Sequence, residues 1–401
     1  MLRQRHAVIV SALRTPVGKY GGALKDVRVD DMSALILRAL VDQTKLDPAL
    51  IEDVYWGCAN QAGEDNRNLA RMAVLLAGFP QSVPGTTINR LCGSSLEAII
   101  QGARAIWSGE NEVVIAGGAE SMTRAPYVFS KNISGRLLYG NLTTYDTSLG
   151  WRFPNPKMEK LFPLESMGET AENVAEKYSV KRSDQDEFAL NSHRKAVAAR
   201  ARLAEEIVAV EVSAKTGPIR FSIDEGPRED TSIDKLSKLK PVFRENGSVT
   251  AGNSSSLNDG AAGVIMMSEE KARSLGLKPL ARIISSGVAG VDPRCMGIGP
   301  VPAAKMALTK ANVKTSDIGL IELNEAFAAQ SLAVIRELKL DEKLVNVNGG
   351  AIAIGHPLGC SGARIVTTLV HEMHRRDVRY GLATMCIGVG QGIAVVVEKA
   401  S

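Results

Sequence analysis

Long apolar runs are missing from this 401-residue chain, so no stretch of it reads as a membrane span. A one-signed charge excess is missing as well. The 48 basic and 44 acidic residues leave +4, too little for a nucleic-acid face but compatible with an anionic small-molecule ligand. Cysteines are few and odd in number: Cys58, Cys92, Cys295, Cys360 and Cys386, with no CxxC pair. That excludes a disulfide scaffold and points to a reducing compartment. No second ligand pair accompanies His356 and Cys360 at metal spacing, so no metal is expected. Met1 to His6 run at once into a strand-like Ala7–Val10, which leaves no room for a signal peptide. Lys399-Ala400-Ser401 is neither an anchor nor a peroxisomal tail, and a cytoplasmic location is expected. Aromatics are scarce at 4%, whereas glycine reaches 37 residues. Scarce aromatics and abundant glycine suit an α/β protein whose site is built from tight backbone turns.

What is present is alternation. Strand-like Ala7–Val10, Val54–Trp56, Thr86–Ile88 and Glu112–Gly118 are separated by helical periodicity at Met32–Val41, Leu69–Leu76 and Leu96–Ile106. Strands alternating with helices predict βαβ units and a mostly parallel sheet. Residues 123–250 change character, with many prolines and charges and one clear helix from Ser183 to Arg202, Ser183 serving as its cap. This stretch reads as an insertion covering the sheet. After Asp259–Met267 the first half repeats in element order. Ala281–Ile284 echoes the opening strand, and Gly319–Asn324 echoes Val54–Asn60. Asn348 to Met373 echoes Asn89–Ile106, Gly381–Cys386 echoes Val113–Gly118, and Gly392–Val397 echoes Ala262–Met267. Such a duplication predicts that the turns at Cys92 and His356 face each other across a shared pocket.

Cys92 lies in Asn89-Arg90-Leu91-Cys92-Gly93-Ser94-Ser95, between a short strand and a helix start. Helix-terminal amides and dipole there favour a thiolate, so a lowered pKa is expected. His356 sits among Gly349, Gly350, Gly355, Gly359 and Gly362 and is followed by Pro357, which holds the chain in special conformations around one imidazole. Cys386 closes a strand and is followed by Gly388, Gly390 and Gly392, whose amides can approach a ligand oxygen. Gly388 as a β-bulge is the plainer reading. In Leu323-Asn324-Glu325-Ala326-Phe327, Asn324 can hold a water or a carbonyl, and Glu325 can be a helix-start carboxylate.

Taken together, Asn89–Ser95, Asn324–Phe327, Gly355-His356-Pro357 and Cys386–Gly390 resemble the four signature loops of the thiolase family, in that family's order from about residue 5 to residue 399. The resemblance implies the five-layered α/β/α/β/α thiolase fold, with two duplicated halves at 1–277 and 278–401 and an inserted loop domain at 123–251. It implies coenzyme A as a substrate with no tightly bound cofactor, acyl-CoA and CoA as partners, and homodimers or homotetramers. It leaves a multifunctional β-oxidation partner open. Cys92 resembles the acyl-accepting nucleophile, His356 its base and Cys386 the second acid/base. Asn324 resembles the residue positioning an oxyanion-hole water, and the amides of Cys92 and Gly388 resemble a second oxyanion hole. Arg228, Ser255, Met167, Phe243, Met296 and Phe327 fall where the family contacts coenzyme A. The basic run Arg228, Lys235, Lys238, Lys240 and Arg244 either faces its phosphates or is a solvated surface. Ser95, Ser166 and Lys235 depart from the biosynthetic members, while Asp146–Phe153 and Cys386–Ala394 look most like 3-ketoacyl-CoA and β-ketoadipyl-CoA thiolases. The expected activity is therefore 3-ketoacyl-CoA thiolysis through an acyl-Cys92. Acetoacetyl-CoA and β-ketoadipyl-CoA thiolysis are the alternatives.

Overall fold

Residues 5–131, 141–213 and 217–400 are described by the computed structural model. The expectations for Met1–Gln4 and Ser401 lie outside them, as do 132–140 and 214–216 of the inserted segment. The strands of the main sheet are β1 (Ala7–Arg14), β2 (Asp53–Gly57), β3 (Thr86–Ile88), β4 (Val113–Ser121), β5 (Asn258–Ser268), β6 (Ala281–Gly290), β7 (Ile318–Leu323), β8 (Tyr380–Ile387) and β9 (Gln391–Lys399). They run in the spatial order β7-β8-β9-β6-β1-β5-β4-β2-β3, and Gly18–Lys19 adds a short tenth strand beside β5.

The duplication is explicit in that order. From the edge inward the first half reads β3-β2-β4-β5-β1 and the second β7-β8-β9-β6. The missing counterpart of β3 is a single parallel bridge between Ile321 and Val345. The halves meet where β1 pairs antiparallel with β6 over Ala7–Ile9.

Period-two alternation then builds five layers. Along β1, Val8 and Val10 enter one core, while Ala7, Ile9 and Ala12 enter another. The first core is closed by helices α1 (Val29–Thr44) and α2 (Leu69–Leu76). The second lies between the half-sheets and is filled by α3 (Ser94–Ser108) and by a long helix, Leu358–Arg376. On β9, Ala394 and Val396 face the third core, roofed by Pro300–Ala311 and Ala328–Leu338. Strands buried on both faces explain the apolar runs Val113–Ala116 and Ala394–Val397.

Two expectations fail. The sheet is mixed rather than mostly parallel: β2 pairs parallel with β3 and β4, and β7 with β8, but every other pairing of the main sheet is antiparallel. The reason is connection length, since β8 and β9 are joined by only Gly388-Val389-Gly390, and a parallel crossover needs a dozen residues or more. The helix placed at Ser183–Arg202 spans Arg182–Ala198, with extended Lys181 before it and a separate turn at Arg200–Leu203 after it. Ser183 is already inside the first turn, where its hydroxyl donates to Asp184, so it cannot cap.

Candidate active site

Between β3 and α3 the chain must reverse within five residues. It does so through Leu91 at φ 47, a left-handed conformation that costs a branched side chain of the order of 1–2 kcal/mol. Local hydrogen bonds hold it there. Leu91 N donates to Asn89 Oδ1 (2.9 Å), Asn89 Nδ2 to Ala59 O (2.9 Å), and Ser94 Oγ to Leu91 O (2.6 Å). Arg90 then fastens the turn to the other half of the chain, donating to Glu97 Oε2 (3.1 Å) and to Gln391 Oε1 (3.1 Å).

Cys92 follows, half-buried, with the main-chain amides of Gly388 and of Cys92 itself near its sulfur. Those amides favour the thiolate, yet burial outweighs them and, with the charge of Glu120 adding to it, pushes the thiol up. The expected lowering of the Cys92 pKa is thus overturned for the free protein: desolvation exceeds what amides and dipole return. A proton acceptor is needed beside the sulfur.

His356 has the form of one. Its main-chain N–H donates to Asn258 Oδ1 (2.9 Å), and its Nδ1 lies 2.6 Å from Ser361 Oγ. The Ser361 hydroxyl spends its single hydrogen on Pro357 O (2.8 Å), so Nδ1 carries the proton and donates to Ser361. Nε2 is left with a free lone pair, the tautomer a base requires. Burial, helped by Arg364, lowers the imidazole to about 3, which keeps it neutral. Asn324 Nδ2 lies 3.4 Å from Nε2 and 3.5 Å from Nδ1, nearly equidistant and therefore over the ring rather than bonded to one nitrogen. Asn324 Oδ1 is buried and meets no donor among the described residues, which marks it for a ligand or solvent group. Gly355, at φ +122 and packed on Asn258, accounts for one of the glycines around His356.

Cys386 ends β8. Burial and the nearby Cys92 push its thiol well above the ordinary range, so it holds its proton. Asn324 N donates to Thr384 O (3.0 Å), which ties the asparagine to the same strand. Around Cys386 lie Ala171, Val249, Met296, Ala326 and Phe327, with Met167 and Phe243 packed against them. The rings of Phe243 and Phe327 meet edge to face at 6.3 Å. Gly388 lies in the turn between β8 and β9 and is not a bulge. Val389 there stands at φ 62, held by Val291 N donating to Gly390 O (2.7 Å).

The expected coenzyme A contacts divide. Met167, Phe243, Met296 and Phe327 share the apolar wall at Cys386. Ser255 is half-buried and donates its N–H to Ala326 O (3.0 Å), beside that wall. Arg228 is exposed, with its amide on His193 Nδ1 (3.1 Å). In the basic run, Lys235 is paired with Asp230 (2.6 Å), while Arg244 reaches Asn173 (2.6 Å) and Glu176 (3.3 Å). Two of its five cations thus contact the protein's own oxygens.

Three departures gain structural roles. Ser166 caps Met167–Lys177 in a capping box with Glu169. Ser95 Oγ accepts from Ala363 N (2.9 Å), joining the two central helices. Lys235 belongs to its ion pair. Sequence reasoning missed Asn258 and Glu120. Glu325 is no helix-start carboxylate: it accepts from Ser192 Oγ, Asn346 Nδ2 and Ile352 N. Buried Glu120 accepts from Ala59 N, Asn60 N and Gly359 N, joining the loop behind Cys92 to the one after His356. The strand-end position of Glu120 was its one available signal.

A thiol under two amides, a neutral imidazole with its lone pair free and a second protonated thiol, set on a duplicated α/β/α/β/α framework, define an acyltransferase that works on thioesters. The chain belongs to the thiolase family: residues 7–270 match the thiolase N-terminal domain and residues 277–399 the thiolase C-terminal domain. It is 54% identical to the 3-oxoadipyl-CoA/3-oxo-5,6-dehydrosuberyl-CoA thiolase of Escherichia coli, over 98% of this chain and 100% of that one. The beta-ketoadipyl-CoA thiolase of Pseudomonas putida is 52% identical, again over 98% and 100%. The crystal structure of human mitochondrial 3-ketoacyl-CoA thiolase superposes with a TM-score of 0.93 at 42% identity, covering 99% of this chain and 100% of that one. Among the described residues no helix is long and apolar enough to cross a membrane.

Proposed function

We propose that this thiolase cleaves 3-oxoadipyl-CoA with coenzyme A, giving acetyl-CoA and succinyl-CoA. The observation that carries the chemistry is the pairing of amide-faced Cys92 with a buried, protonated Cys386 beside it. His356 Nε2 takes the Cys92 proton, and the sulfur attacks the C3 carbonyl. As the C2–C3 bond breaks, the electron pair passes to the acetyl-CoA enolate, which takes the Cys386 proton at C2. Acetyl-CoA leaves and succinyl-Cys92 remains. Incoming CoA gives its thiol proton to the Cys386 thiolate and attacks the acyl carbon, and Cys92 recovers its proton from His356. Asn324 with His356 faces one developing oxyanion, and the amides of Cys92 and Gly388 face the other.

The substrate choice is supported by the names of relatives at 52–54% identity. Fatty 3-ketoacyl-CoA thiolysis, the first expectation, has the more distant human structure behind it. In the same reading Met167, Phe243, Met296, Phe327, Ser255 and Arg228 contact coenzyme A, and segment 123–251 covers the site. The halves divide near residue 277, and the enzyme works in the cytoplasm as a homodimer or homotetramer. The test is a panel of 3-oxoadipyl-CoA, 3-oxohexanoyl-CoA and acetoacetyl-CoA on wild type and Cys92→Ala. The six-carbon diacid should give the highest kcat/KM, with a succinyl mass on Cys92. Wild-type-like turnover by Cys92→Ala would falsify the nucleophile, and a preference for 3-oxohexanoyl-CoA would remove the substrate.

A further inference from the structure

Accepting that substrate reading, its acyl chain ends in a carboxylate, and a carboxylate entering a protein needs a cation. Several arginines of the surrounding segments are already spent. Arg124 grips Glu64 with two bonds (2.7 and 2.9 Å), Arg294 is paired with Glu165 (3.0 Å), and Arg90 with Glu97 (3.1 Å). Arg152 is not. It is half-buried, and among the described residues no carboxylate pairs with it.

Its guanidinium is nonetheless fixed. Nη1 donates to Asn60 Oδ1 (2.8 Å) and Thr147 O (3.3 Å), and Nη2 donates to Asn60 O (2.8 Å). The Nη1/Nη2 edge thus holds Asn60. Nε–H and the second Nη2–H form the other edge and bond to nothing among the described residues. That edge is a side-on fork, the geometry that takes a carboxylate with two parallel bonds. The loop carrying it is braced by Tyr145 and Phe153, whose rings lie 4.9 Å apart.

Its location joins both sides of the chemistry. Asn60 follows Ala59, whose carbonyl receives Asn89 Nδ2 from the nucleophile's turn. Trp151, the preceding residue, donates to Glu165 O (3.2 Å), two residues before Met167, which packs on the Cys386 wall. Trp151 and Arg152 together therefore link the loop behind Cys92 to the segment entering the helix at Met167. We propose that Arg152 reads the distal carboxylate of a 3-oxo-dicarboxylyl thioester and so sets substrate class.

The experiment compares 3-oxoadipyl-CoA with 3-oxohexanoyl-CoA, equal in length but without the carboxylate, on wild type, Arg152→Gln and Arg152→Lys. Arg152→Gln should lower kcat/KM for the diacid by roughly 10- to 150-fold, the range for a lost charge-assisted pair. The loss should sit mainly in KM, because ground and transition state hold the distant carboxylate alike. With 3-oxohexanoyl-CoA the change should stay within about threefold, the lysine variant falling between for the diacid. An equal fall on both substrates overturns the proposal and leaves Arg152 a brace for Asn60. No fall on the diacid, while wild type still prefers it, overturns the assignment of Arg152 alone. A wild type with no preference for the diacid overturns the substrate reading, and this one with it.

Discussion

Ser361→Ala tests the tautomer on which the proposed base depends. In the wild type the Ser361 oxygen accepts the His356 Nδ1 proton at 2.6 Å and passes its own hydrogen to Pro357 O at 2.8 Å. Pro357 O also accepts from Cys360 N (3.1 Å) and Ser361 N (3.0 Å), so it is not stranded by the change. The imidazole is. With Nδ1–H left buried without an acceptor, at about 1–3 kcal/mol, the proton moves to Nε2 and that nitrogen's lone pair is lost. To act as a base the ring must return to the first state, so the same 1–3 kcal/mol enters the barrier, roughly 5- to 150-fold in the acylation rate. The folding cost is modest by comparison. A 401-residue chain unfolds with an entropy near 0.8 kcal/mol/K, so Tm should fall by only about 1–4 °C. Single-turnover acylation of Cys92, followed by intact mass, reads the rate. Alkylation of Cys92 by iodoacetamide across pH reads the base without a substrate, and it should slow in parallel at neutral pH. Wild-type acylation with a lowered Tm would refute the tautomer argument and leave Ser361 a packing residue.

Gly362→Ala should destabilise the protein by more than about 3 kcal/mol, or leave it insoluble, because an added Cβ falls within van der Waals distance of the Leu96 main-chain nitrogen; an unchanged melting curve would contradict the helix contact. Glu120 is raised by burial, and by Asp65 beside it, from 4.5 to about 7. The folded state thus holds this proton more tightly than the unfolded chain, and the associated stability is complete below pH 4.5 and is lost between there and about 7, on the order of 3 kcal/mol. Urea titrations of wild type and Glu120→Gln should therefore show the wild-type advantage shrinking across that window; a gap independent of pH would rule out Glu120 as its source.

The functional turns were legible because each is local. A β-branched strand followed by Cys92 and a helical stripe, or His356 among glycines, declares itself within fifteen residues. The duplication was legible too, since element order survives where identity does not. What stayed hidden depends on distance along the chain. Asn258 lies 98 residues from the His356 amide it receives, and Glu120 lies 239 residues from Gly359. The sign of the Cys92 shift was misread for the same reason: helix-terminal amides are visible in sequence, whereas the burial that outweighs them is supplied by segments from both halves. The parallel sheet failed at a countable feature, the three residues between β8 and β9.

Duplication also explains why the site needs little help from its loops. Cys92 stands two residues before the helix at Ser94, and His356 two before the helix at Leu358, at equivalent points of the two halves. Those helices touch near their starts, where Ala363 N donates to Ser95 Oγ at 2.9 Å and Gly362 admits Leu96. The relation between sulfur and imidazole is thereby set by a helix pair buried between two half-sheets, the least deformable place in the fold. Loops outside that helix pair can then shape the substrate pocket while the acyl-transfer geometry stays fixed. Arg152 fits that division, since it lies outside the helix pair yet is fastened through Asn60 to the loop that braces the nucleophile's turn.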